Sequence, residues 1–306
     1  MTPKPRTLLL TLDAFETIFH PRQPVPDQYA SAAHAFGLPK TVITSERIQA
    51  AFKSVFKAQS KARPNYGRAD VLLGQYNGPR QWWEEIIRGS FSRVIAEHNS
   101  HSNRNAQIDV PEGLIGHLLD RFASREGYAL YEDAGPFFAR MAEAKAKGLG
   151  PFERVLLGVI SNSDDRVPAV LRSLGLVVGG CRADEGVESG RLPGFEERSA
   201  AERVSAIDRV KDVDLVVTSY EAGVEKPSPR IFEVAGRQAR ALVGAGASEE
   251  WTCMHVGDDL EKDYRAAVGA GWDGYFLSRR DEARDLDGVR VIRSLEDLIT
   301  VLEGYR

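Results

Sequence analysis

LLLTLDAFETIF, residues 8–19, is the stretch on which the reading of the whole chain turns. Leu8, Leu9, Leu10, Thr11 and Leu12 form a short apolar run that ends in a carboxylate, Asp13, and a hydroxyl, Thr17, follows. Short continuous apolar runs bounded by polar residues are predicted to be strands buried on both faces, as in a parallel sheet covered by helices. Three further segments have the same form: RVLLGVISNS (154–163), VDLVVTSYE (213–221) and TCMHVGDD (252–259). Helical spacing follows each of them, over 164–176, 229–243 and 260–271. Strands alternating with helices of this length predict an α/β fold with a Rossmann-like parallel sheet. Right-handed crossovers then bring every strand's C-terminal end to one edge. A fifth strand is expected at GYFLS (274–278), and a closing helix at SLEDLITVLEGY (294–305).

Between the first two strands the pattern changes. QYASAAHAFGL, SERIQAAFKSVFKAQS, PRQWWEEIIRGSFSRVIAEH and PEGLIGHLLDRFAS are helical in spacing and poor in strands. A block of roughly 100 residues is too long for a structureless loop and reads as a second, helical domain. Ser45 is the expected N-cap of one of its helices. HNSHSNRNAQ (98–107) is expected to be a loop, with His98 and His101 solvated. The Gly- and charge-rich segment 179–205 reads as a long, partly disordered excursion.

With 306 residues, 42% of them apolar, the chain can bury one large core or two modest ones. A net charge of -4 argues against a nucleic-acid partner. The two cysteines, Cys181 and Cys253, form neither a disulfide framework nor a metal-ligand spacing. No apolar run approaches the roughly 20 residues that span a bilayer. The N-terminal apolar run is short and ends in Asp13, unlike a signal peptide. A soluble, cytoplasmic protein with no membrane partner is expected. Oligomeric state is not legible.

Ligands of open α/β sheets bind outside the carboxyl ends of the strands. Those ends supply Asp13 and Thr17, Ser161 and Asn162, Lys226 just beyond the third strand, and Asp258, Asp259 and Asp263. Each residue has a structural explanation when taken singly. An Asp at a strand end is often a turn or cap residue, Ser161 and Asn162 could cap the next helix, and the acids could answer a helix dipole. His255 reads as a buried, hydrogen-bonded histidine. Trp82 and Trp83 read as helix core, with a substrate-facing role as the less favoured alternative. The coincidence of a carboxylate, hydroxyls, a cation and an acidic cluster at four strand ends points to a site.

These motifs, LLLTLDAFET, GVISNS, Lys226 in SYEAGVEKPSPRIF and HVGDDLEKD, resemble in order the four motifs of the haloacid dehalogenase superfamily of hydrolases. GVEKPSPRIFE and the non-acidic Phe15 are similar to the subgroup of haloacid dehalogenase-like hydrolase domain-containing protein 3. The resemblance implies a sheet core of residues 1–21 and 128–306 with a helical cap over 22–127. It implies Asp13 as nucleophile, Ser161 and Lys226 as catalytic partners, and Thr17, Ser161, Asn162 and Lys226 around a small phosphorylated metabolite. It also implies Mg²⁺ held by Asp13, the backbone carbonyl of Phe15 and Asp258, with Asp259 and Asp263 as supports or alternative ligands.

The pattern breaks at Phe15, where phosphatases of the family carry an aspartate that protonates the leaving oxygen. Loss of a general acid costs about 10² to 10⁴ in rate. A non-acidic residue there is also similar to 2-haloacid dehalogenases, which attack carbon and need no metal. The retained Asp258, Asp259 and Asp263 weigh against that reading, because packed carboxylates without a cation repel one another. Glu16 is expected to point away from the site, with a substitute proton carrier as the alternative. A phosphatase-type hydrolase comes first, followed by a metal-independent dehalogenase and a catalytically weak binding scaffold.

Overall fold

In the computed structural model, which describes residues 6–101, 108–181, 192, 210–244, 250–279 and 286–306, the first apolar run is the central strand of the main sheet. β1 (Arg6–Leu12) lies between β4 (Arg154–Ser161) and β7 (Glu250–Gly257). Beyond β4 come β6 (Val213–Thr218) and β5 (Val178–Cys181). Beyond β7 come β8 (Asp273–Leu277) and β9 (Val291–Ile292). Every pairing in this seven-stranded sheet is parallel, and the short strands β2 (Phe19–Pro21) and β3 (Tyr128–Leu130) stand outside it. Leu8, Leu9, Leu10 and Leu12 are each 0% exposed, which is why β1 is apolar on both faces. Burial of each such side chain contributes about 1.5 to 3 kcal/mol.

One face of the sheet is covered by the helix Arg230–Val243, whose Ile231, Phe232 and Ala235 pack with Leu9, Ile160 and Val217. On the other, the helix Ala134–Lys147 packs against β4 and the closing helix Leu295–Glu303. Ser294 and Asp297 cap that last helix reciprocally.

The described residues divide into two compact units. One holds the main sheet and its helices, up to His20 and from Leu130 onward. The other is Pro21–Ala129 together with Leu192. The second unit is helical: α1 (Val25–Ala35), α2 (Ser45–Ala62), α3 (Pro64–Leu72), α4 (Pro79–His101) and α5 (Leu114–Arg121). Tyr29 is at its centre, with ring centroids 5.8 Å from Phe52, 6.1 Å from Phe91 and 5.4 Å from Phe122. Trp82 is core, 3% exposed, with Nε1 donating to the Arg63 carbonyl at 3.0 Å, whereas Trp83 is half-buried.

Two expectations are corrected here. Thr44, not Ser45, caps α2, accepting from the Arg47 N–H at 3.3 Å, and Ser45 is already helical. His98 and His101 belong to the last turns of α4. No Gly or Pro ends the helix before them, and Asn99 in that turn exchanges two hydrogen bonds with the Ile108 backbone at 3.0 and 3.2 Å. The rest of 98–107, and nearly all of 179–205, lie outside the described residues.

Candidate active site

Asp13 stands one residue past β1, and its backbone N–H extends the pairing to β7 by donating to the Val256 carbonyl at 2.8 Å. Its carboxylate therefore emerges at the C-terminal edge of the central strand. The chain then turns tightly: the Ile18 N–H reaches the Ala14 carbonyl at 2.9 Å, and the Glu16 N–H reaches the Phe19 carbonyl at 2.8 Å. Glu16 has φ 55, a left-handed conformation that costs a residue with a Cβ about 1 to 2 kcal/mol. The Phe15 ring packs edge-to-face on Phe19, with centroids 4.8 Å apart.

Lys226 reaches the same point from the loop beyond β6. Its Nζ donates to Asp13 Oδ1 at 2.8 Å, to Asp263 Oδ1 at 2.6 Å and to the Ile160 carbonyl at 2.9 Å. All three ammonium protons are thereby used. Its side chain is 2% exposed, against 14% for Asp13 and 1% for Asp263, so the cation is buried between two acids. Burial opposes the Lys226 charge, but Asp13 and Asp263 outweigh it and hold the ammonium above its ordinary pKa. Burial lifts Asp13 above the usual carboxylate range, with Lys226 opposing. Burial also opposes the Asp263 charge, yet Lys226 and the His255 hydrogen bond hold that carboxyl well below the usual range.

His255 completes this row. Its Nε2 lies 3.2 Å from Asp263 Oδ1 and its Nδ1 lies 2.9 Å from the Thr11 hydroxyl. Burial keeps its pKa below the ordinary value, so the ring is neutral. The Thr11 hydroxyl also donates to the Met254 carbonyl at 3.1 Å, so the ring is packed against a hydroxyl that is itself anchored to β7. The expected buried, hydrogen-bonded histidine is what the structure contains. Asp263 also accepts from the Asp259 N–H at 2.9 Å through Oδ2. Its close approach depends on Gly257, where a Cβ would fall 2.2 Å from the Asp263 carboxylate.

Asp258 follows β7. The Thr17 hydroxyl donates to its Oδ1 at 3.3 Å. Burial, then the Asp13 and Asp263 charges, push its pKa up to about 7. One oxygen from each of Asp13, Asp258 and Asp263 falls within 4.8 Å of the others. Asp263 is already occupied by Lys226, His255 and the Asp259 N–H. Asp13 and Asp258 are therefore the carboxylates suited to a hard cation that keeps most of its waters. The raised Asp258 is the electrostatic sign of a place where positive charge is favourable.

Three of the sequence-predicted residues bond to other parts of the site. Asn162 exchanges both ends of its amide with the Lys226 backbone, donating at 2.8 Å and accepting at 2.7 Å, and so holds the Lys226 loop in place. Thr17 is 0% exposed and orients Asp258. The Asp259 side chain turns to the following helix start, accepting from the Glu261 and Lys262 N–H groups at 2.9 Å, as an N-cap does. Asp263 is a partner of Lys226 before it is a metal ligand. Ser161 ends β4, 2% exposed, beside Asn162. Glu16 accepts from the Tyr131 hydroxyl at 2.7 Å. Tyr131 and Arg279, which also meet this turn, were not singled out by the sequence motifs. The available signal was Arg279 as a polar residue just past β8, at the edge where the other site residues emerge.

A seven-stranded parallel sheet with this row of residues at one edge defines a class of hydrolases. A family profile described as haloacid dehalogenase-like hydrolase matches residues 8–271, and the chain belongs to that family. It is similar to haloacid dehalogenase-like hydrolase domain-containing protein 3 of Danio rerio, with 27% identity over 289 residues, 94% of this chain and 92% of the relative. The protein of the same name from Bos taurus is 28% identical over 270 residues, 88% of this chain and 81% of the relative. Among solved structures, the L-2-haloacid dehalogenase of Xanthobacter autotrophicus superposes with a TM-score of 0.51 at 14% identity, covering 99% of this chain and 100% of that one. At that identity the likeness is one of fold. No described helix is long and apolar enough to cross a membrane.

Proposed function

We propose that the chain is a Mg²⁺-dependent phosphoryl hydrolase acting on a small phosphorylated metabolite through an aspartyl-phosphate at Asp13. The observation that carries this reading is Asp258, a half-buried carboxyl lifted to about 7 beside two other carboxylates. Displacement of halide from carbon has no use for that group, whereas a cation does. Asp13, Asp258 and the Phe15 carbonyl would hold the metal. When bound, Mg²⁺ offsets charge on the phosphoryl group.

An oxygen of Asp13 attacks phosphorus, and the bond to the leaving oxygen breaks with its electron pair going to that oxygen. Water then attacks the aspartyl-phosphate, releasing phosphate and restoring the carboxylate. Lys226, fixed by Asn162, Asp263 and Ile160, keeps a positive charge against Asp13 throughout. Ser161 donates its hydroxyl to a phosphoryl oxygen. With a phenyl ring at residue 15, no side chain there protonates the leaving oxygen. Substrates whose leaving groups depart as stable anions, acyl and aryl phosphates, fit this site.

The reading is tested with acetyl phosphate and p-nitrophenyl phosphate: phosphate release should need Mg²⁺ and stop with EDTA. Phe15 favours one alternative, and chelator-insensitive halide release from a 2-haloacid would replace phosphoryl transfer with dehalogenation. Absence of turnover with metal binding retained would make the chain a binding scaffold. Phe15→Asp should raise hydrolysis of an alkyl phosphate by about 10² or more, with a smaller gain on the aryl ester. No gain on either would remove Phe15 as the reason for the restriction.

Protons compete with the metal for Asp258. Its folded pKa of about 7 means that the binding form is lost as pH falls through 7. Mg²⁺ affinity measured by calorimetry should weaken about 20-fold between pH 7.5 and 5.5. A flat profile would place the cation elsewhere.

A further inference from the structure

We infer that Arg279, outside all four motifs, is a positioning residue that fixes the Phe15–Thr17 turn and, through Thr17, the Asp258 carboxylate. The inference rests on the metal reading above and adds to it a residue from the next strand along the sheet. β8 lies beside β7, so its C-terminal edge adjoins the one that presents Asp258. Ser278 holds the backbone there, donating its N–H to the Ile292 carbonyl at 2.9 Å. The Arg279 guanidinium then makes three contacts. Nη2 donates to the Thr17 carbonyl at 2.5 Å, Nη1 donates to Asp133 Oδ2 at 2.7 Å, and the plane lies 3.9 Å over the Tyr131 ring.

Each contact bears on the same turn. Thr17 is gripped by its carbonyl while its hydroxyl reaches Asp258 at 3.3 Å. Tyr131, under the guanidinium, donates its hydroxyl to Glu16 at 2.7 Å and its backbone N–H to the Ile18 carbonyl at 3.1 Å. The left-handed Glu16 is thus held from the side, and its carboxylate points to Tyr131. Asp133 is itself anchored, accepting from the Leu295 N–H at 2.8 Å and the Ser294 hydroxyl at 3.0 Å. Arg279 accordingly ties a conformationally unfavourable turn to the N-terminus of the closing helix. Only a planar fork reaches the carbonyl and the carboxylate together while stacking on the ring.

The experiment compares Arg279→Met and Arg279→Lys with wild type and with Ser294→Ala, which touches Asp133 but not the turn. Mg²⁺ binding is measured by calorimetry, and amide exchange of residues 13–20 by mass spectrometry. Loss of a residue that orients metal ligands weakens affinity by about 10- to 100-fold. That loss is expected in Arg279→Met, with part recovered in Arg279→Lys, none in Ser294→Ala, and faster exchange over 13–20. If wild type binds Mg²⁺ and Arg279→Met binds it as tightly, the inference is wrong and the metal reading stands. If wild type takes no Mg²⁺, the metal reading falls and exchange alone decides. Unchanged protection over 13–20 then overturns the role of Arg279, and faster exchange upholds it. Should Arg279→Met not fold, Arg279→Lys carries both measurements.

Discussion

Asp13→Asn should abolish phosphate release from aryl and acyl phosphates, lowering turnover by about 10⁴- to 10⁶-fold, the scale on which removal of a nucleophile acts. The substitution is nearly isosteric, and an amide oxygen still accepts from Lys226 at the position where Oδ1 sits at 2.8 Å. The fold should therefore survive, and the loss should be chemical. The amide is a poor nucleophile toward phosphorus, so no covalent intermediate forms. An acid quench of wild type during turnover, followed by peptide mass spectrometry, should locate phosphate on residue 13 and find none in the variant. Turnover that continues unchanged in Asp13→Asn would assign the chemistry to another group.

Lys226→Met should be the most destabilising single change at the site. It removes the cation between Asp13 and Asp263 and leaves two buried carboxylates facing each other and the neutral His255. Breaking a buried pair by removing one partner costs about 3 to 5 kcal/mol. The pH dependence separates this from simple loss of packing. In wild type the folded pKa of Asp263 is below the ordinary value, so its contribution is present above that value and lost as pH falls toward the folded one. In the variant both acids lose their cation and are pushed upward by burial. Its stability should then fall as pH rises through their raised values, the opposite slope. Urea unfolding at pH 5 and pH 8 measures this, and a deficit equal at both would refute the electrostatic explanation.

Much of the sheet was legible because its inner strands are continuous apolar runs, and β1, β4, β6, β7 and β8 all fall where such runs occur. β5 and β9 were not. β5 carries two glycines and β9 has two residues, and neither offers a period to read. After β7 the helix begins as a π-turn, Leu260–Arg265, because the N–H groups of Asp263 and Tyr264 share the Asp259 carbonyl at 2.9 and 3.3 Å. A period of 3.6 cannot register that. At the site, residue types at strand ends pointed to Asp13, Lys226 and Asp258, which the fold brings together. What each does with its neighbours depends on pairings made across the fold. The bonds from both amide atoms of Asn162 to the backbone of Lys226, 64 residues on, are such a pairing.

The position of β1 bears on how the chain is made. Its neighbours in the sheet are β4 and β7, and Thr11 meets His255 across a separation of 244 residues. At synthesis rates of about 5 to 20 residues per second, the first strand waits on the order of 10 to 50 s for its second partner. During that interval one edge of this leucine-rich strand has no partner. Closing so distant a pair also carries a larger loop entropy than a hairpin would. High contact order of this kind slows folding. Asp13, Lys226 and Asp258 thus come together late, and a nascent chain released before β7 is complete would hold its leucines but no site.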